Sequence, residues 1–122
     1  MPRHVLMLDL KSDPALIERY RQWHAPGQVP PAVVRSIRQA GILDMEIHLC
    51  GDRLAMIVEV SDDYDPAAKA AADAADPDVQ AWETLMNTFQ RPLPWARDGE
   101  KWVPAERIFS LGDQTTGEDA GI

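Results

Sequence analysis

Residues 42–60 read I-L-D-M-E-I-H-L-C-G-D-R-L-A-M-I-V-E-V, and their periodicity decides the fold. Met45, Ile47 and Leu49 alternate with Asp44, Glu46 and His48, the period-two signature of a strand with one dry and one wet face. Gly51-Asp52 supplies a turn, after which Leu54, Met56, Val58 and Val60 resume the alternation. The spacing predicts an antiparallel hairpin of two strands, 42–49 and 53–60.

Working outward toward the N-terminus, His4–Leu10 (H-V-L-M-L-D-L) is a short apolar run, expected to be a strand covered on both faces. Ser12 or Asp13 is placed to cap a helix that has Pro14 in its first turn. Leu16, Ile17, Tyr20 and Trp23 or His24 fall at helical spacing, and Ala25-Pro26-Gly27 ends the helix. Pro30-Pro31 opens a second helix with Val33, Val34, Ile37 and Ala40 as its apolar side and Gly41 as its stop.

C-terminal to the hairpin, residues 62–78 are rich in Ala, Asp and Pro, which predicts a loop and a weakly hydrophobic helix broken near Asp76-Pro77. A clearer helix is expected from Asp78 to about Gln90, with Val79, Trp82, Leu85, Met86 and Phe89 as its stripe. A Pro-rich connection over 91–101 leads to a last strand over 102–111. Residues 112–122 carry almost nothing to bury and are expected to be a disordered tail. The order β-α-α-β-β-α-β is an α+β, ferredoxin-like split βαβ sandwich with a doubled first helix, one domain over residues 1–111. Helices cover one face of such a sheet only. The other is expected to be covered by a two-fold partner, giving a homodimer of the dimeric α/β-barrel type.

A chain of 122 residues can bury one core without staples. Its net charge of −8 argues against nucleic acid or an anionic membrane as partner. The lone Cys50 makes no intrachain disulfide, and no ligand spacing suggests a metal. No run approaches a membrane span or a secretory signal, so a cytoplasmic protein is expected. Nucleotide-loop, nucleophile-elbow and zinc-protease motifs do not occur.

Chemistry is expected near residues 20–24, Y-R-Q-W-H. Tyr20 and His24, four apart, share one side of a helix that continues through Leu16 and Ile17 toward the sheet. An imidazole there is suited to proton transfer near neutrality, or it caps a helix-end carbonyl and packs beside Trp23. Three of the four tryptophans and three prolines lie between Trp82 and Leu111. Trp82 is either the aromatic wall of a sugar pocket or plain core; Glu83 is either a hydroxyl ligand or a solvated carboxylate. Trp95 and Trp102 either close a pocket or cover a sheet edge and dimer seam. Asp44, Glu46 and His48 are read as a wetted strand face rather than a metal site.

The runs H-V-L-M-L-D-L, D-P-A-L-I-E-R-Y-R-Q-W-H-A-P-G and F-Q-R-P-L-P-W-A-R-D-G-E-K-W-V-P-A-E-R-I-F-S-L resemble the L-rhamnose/L-fucose mutarotase family over residues 4–111, closer to its L-fucose branch. The resemblance implies a dimeric ferredoxin-like enzyme that interconverts the α and β anomers of a deoxyhexose without a cofactor. It implies His24 as the catalytic proton-transfer group and Tyr20, Trp82 and Glu83 as substrate-binding residues. The chain departs from its relatives at Pro30-Pro31-Ala32, where an aromatic-Pro-Glu sequence is usual. It also departs at Met45, where rhamnose-type members have tyrosine, at Asn87 in place of an aromatic, and at Glu83 in place of a second tryptophan. The competing readings are a catalytically idle sugar-binding or regulatory dimer, and a cofactor-independent monooxygenase on the same fold.

Overall fold

Gly51 adopts a φ of +63°, a left-handed conformation that glycine enters without a Cβ penalty, and the chain reverses there. The result, in a computed structural model that describes residues 2–115, is the expected hairpin: β2 (Ile42–Cys50) antiparallel to β3 (Arg53–Val60). Leu43 is the extra residue of a bulge, since Ile42 pairs Val60 while Asp44 already pairs Glu59. β1 (Arg3–Leu10) pairs the free side of β3 from Arg3–Glu59 to Asp9–Arg53.

Between β1 and β2 lie two helices. In α1 (Pro14–Trp23), Asp13 is the cap: its Oδ1 accepts from the backbone amides of Ala15 (2.9 Å) and Leu16 (3.3 Å). α2 (Pro31–Gln39) ends at Gly41, whose φ is +91° and whose missing Cβ would stand 2.6 Å from Ser61 Oγ. After the hairpin come α3 (Pro66–Ala75) and α4 (Pro77–Asn87), separated at Asp76, which closes the first and caps the second.

The C-terminal half of the sheet departs from expectation. The last helix stops at Asn87, and Gln90–Arg91 instead form a two-residue strand, β4, opposite Leu10 and Asp9. The strand expected over 102–111 is reduced to Val103–Pro104, β5, opposite Met7 and Leu6. Pro104 has no amide hydrogen to extend the ladder; among the described residues one further backbone bond to β1 follows, Ala105 N–H to the Val5 carbonyl (2.8 Å). Ile108, Phe109 and Leu111 are exposed, and Leu111–Asp113 make a single 3₁₀ turn that runs into the segment expected to be disordered. Residues 116–122 of that segment lie outside the described residues.

The strand order is β2-β3-β1-β4, with β5 also on β1, and every pairing is antiparallel. This is the ferredoxin-like sheet, its fourth strand split in two. Leu8, Leu10, Leu54, Val58 and Val60 are buried on one face, and Tyr20, Val33, Val79, Met86 and Phe89 bury the helix layer against it. No described helix is long and apolar enough to cross a membrane.

On the opposite face Asp9, 1% exposed, sits between two cross-strand arginines. Arg53 grips it bidentately through Nε (2.7 Å) and a terminal nitrogen (3.2 Å), while Arg91 stands 3.7 Å away. Trp95 lies over the Arg53 guanidinium, 4.9 Å from carbon to ring centroid.

Candidate active site

A helix leaves its last four carbonyls without intrahelical partners. In α1 one of these belongs to Tyr20, and His24, the C-cap residue, turns its side chain back to meet it: Nδ1 lies 2.7 Å from the Tyr20 oxygen. A carbonyl only accepts, so Nδ1 carries the hydrogen. Nε2 of the neutral ring is then an acceptor. The capping alternative of the sequence reading is thus present, and the cap fixes the tautomer without excluding proton transfer at Nε2.

Aromatic contacts fix the ring plane. His24 stacks on Tyr20 at 4.2 Å between centroids and meets Trp82 edge-on at 5.5 Å. Trp82 in turn touches Trp23 at 6.0 Å, and Tyr20 meets Phe89 at 5.9 Å. Burial pushes His24 below the ordinary imidazole range, an effect partly offset by the Tyr20 carbonyl. Burial raises Tyr20, opposed by the hydrogen bond it receives from Gln90 and helped by the nearby Glu83 charge. At neutral pH the pair is thus an imidazole acceptor beside a phenol donor.

These groups line a cleft of about 530 Å³ between the helix layer and the sheet. Its floor is apolar, with Leu6, Met45, Ile47 and Met56, and Trp102 closes one side. Met45, where rhamnose-type relatives have tyrosine, therefore makes the floor less polar, whereas Asn87 is exposed and outside the lining. The two loop tryptophans separate: Trp102 belongs to the cleft, and Trp95 to the opposite face of the sheet.

All four residues singled out from sequence, Tyr20, His24, Trp82 and Glu83, line this cleft together. Glu83 is paired with Lys101 at 2.6 Å, a contact between α4 and the Pro-rich connection. Sequence reading missed Lys101 and Gln90. Apolar periodicity puts Gln90 at the end of a helix, and only its place in F-Q-R-P within the family-like segment marks it. Glu46 and His48 lie apart on the wet side of β2, where they meet at 3.2 Å, whereas the exposed Asp44, next to the bulge, reaches the rim of the cleft. No group of three or more His, Cys, Asp or Glu among the described residues could hold a metal.

A ferredoxin-like sheet carrying an imidazole and a phenol in an aromatic-walled cleft describes a small α+β protein with a candidate acid/base site. The profile of the L-rhamnose mutarotase family matches residues 3–111, and the chain belongs to that family: it is an isomerase that interconverts sugar anomers. It is 55% identical over 113 residues to an L-fucose mutarotase from Xanthomonas campestris pv. campestris, covering 93% of this chain and 90% of that one. An L-rhamnose mutarotase from Formosa agariphila shares the fold, with a TM-score of 0.66 at 18% identity over 91% of this chain and 99% of the other. So does the tetracenomycin F2 cyclase of Streptomyces glaucescens, a type-II polyketide cyclase, at 0.60 and 19% identity over 90% and 96%.

Proposed function

We propose that the protein interconverts the α and β anomers of L-fucose, with L-rhamnose as the second candidate. His24 and Tyr20 serve as the proton-transfer pair, and Trp82 and Glu83 serve as sugar contacts. The observation that carries this is the opposite polarity of the two groups in one cleft, an Nε2 acceptor beside a phenol hydrogen. Opening a pyranose removes a proton from the anomeric hydroxyl and places one on the ring oxygen as the C1–O5 bond breaks. His24 takes the first and Tyr20 gives the second. The aldehyde turns about C1–C2, and as the C1–O5 bond forms again on the other face His24 gives its proton to the carbonyl oxygen while the Tyr20 phenolate takes one back from the O5 hydroxyl. Each proton transfer contributes roughly 10²–10⁴-fold. Trp82 offers an indole to the C–H face of the sugar, and the Glu83–Lys101 pair offers an acceptor and a donor to its hydroxyls.

The high identity to an L-fucose mutarotase favours L-fucose and disfavours an idle binding module or a monooxygenase. We infer further that the protein is a cytoplasmic homodimer that binds no nucleic acid. The side of the sheet away from the helices presents Val5, Met7 and Ile57, none of them buried, and the net charge is −8.

The test is magnetisation exchange between the anomeric proton signals of L-fucose, and separately of L-rhamnose, with wild type and His24→Ala. Exchange by wild type, slowed at least about 10²-fold in the variant, is the expected result. Equal rates with both proteins would remove His24 from the reaction.

A further inference from the structure

The structure places Gln90 in β4 opposite Leu10, on the side of the sheet that lines the cleft. Its Nε2 donates to the Tyr20 phenol oxygen at 3.2 Å, while its Oε1 is buried with no partner among the described residues. An amide half unpaired in the interior is unfavourable, and an apolar side chain of the same length would avoid that penalty. What the amide adds is the direction of one hydrogen bond.

That direction matters because the two halves of the site must differ. His24 Nδ1 is committed to the Tyr20 carbonyl, so neutral His24 offers the cleft an acceptor. Ring opening then requires a donor for the ring oxygen. A phenol that gave its hydrogen to a protein carbonyl or carboxylate would have none left. A phenol that accepts from an amide keeps its own. The same bond favours the phenolate that forms when the proton leaves, opposing the effect of burial. We propose that Gln90 is the positioning residue of this site: its amide donates to Tyr20 and thereby holds the phenol as the donor that faces the sugar ring oxygen. This rests on the roles given above to His24 and Tyr20.

The test is a double-mutant cycle in the anomer-exchange assay, with kcat and KM separated over a series of L-fucose concentrations. The proteins are wild type, Tyr20→Phe, Gln90→Leu and the double variant, with Gln90→Met replacing Gln90→Leu should the latter fail to fold. Gln90→Leu is expected to lower kcat about tenfold with KM changed by no more than about twofold, the loss of one bond felt in the transition state. On top of Tyr20→Phe it is expected to do nothing more, because its effect passes through the phenol. Gln90→Glu, whose carboxylate takes the phenol hydrogen, is expected to be slower still. Wild-type kcat in Gln90→Leu, or a loss that adds in full to that of Tyr20→Phe, overturns this inference alone. A Tyr20→Phe protein at the wild-type rate overturns the site assignment and this inference with it.

Discussion

The Nδ1 of His24 lies 2.7 Å from a carbonyl that α1 leaves unpaired at its own end, so helix termination and tautomer choice are a single event. On the proposed role of His24 the active form is the neutral ring, and burial moves its titration below the ordinary 6.5. Protonation removes the Nε2 acceptor, so kcat/KM for anomer exchange should be full at neutral pH and fall as the pH drops through a value below 6.5. A profile of exchange rate against pH checks this; an acid limb centred above 6.5 would contradict the burial described for His24. The i, i+4 spacing made Tyr20 and His24 legible as partners, because helical geometry alone puts them one turn apart. Gln90 was illegible for a related reason: the apolar stripe of α4 runs on through Phe89, and nothing in that periodicity marks the switch to a strand.

At the level of elements, the hairpin and both N-terminal helices could be read directly, since alternation, Pro at helix starts and Gly at stops are local signals. The edge strand could not. Arg91 pairs Asp9 and Val103 pairs Met7, whereas a continuous strand would set residue 93 opposite Met7. The chain thus inserts 103 − 93 = 10 residues there, an even number, so Val103 keeps to the side of the sheet that Arg91 uses. The alternation of residues 102–111 suggested a long strand, but β1 offers the segment only the stretch that β4 leaves free. The same neighbourhood holds the buried Asp9. Arg53→Met removes its bidentate partner and leaves a carboxylate that is 1% exposed with Arg91 at 3.7 Å. Urea unfolding should show a lowered midpoint at unchanged m-value. An unchanged midpoint would mean that Arg91 serves Asp9 alone.

For the whole molecule, the layered arrangement followed from element order, because a sheet with helices on one side keeps its cleft beneath them. A contact between that other side and a second copy would leave little local trace in a sequence. If that side joins two copies, Ile57→Lys sets a charge among Val5 and Met7 and should yield a monomer by sedimentation equilibrium without loss of folded structure. A dimer of unchanged affinity would rule this surface out. The two residues of β4 connect the two sides: Gln90 reaches Tyr20 in the cleft, and Arg91 reaches Asp9 and Asp52 on the other side. Insertions and deletions in the preceding turn are therefore constrained by parity. A single added or lost residue that shifted β4 along β1 would exchange the two side chains, burying a guanidinium beside the phenol, so descendants of this chain should vary in length within the 92–102 excursion and keep the turn before Gln90 fixed.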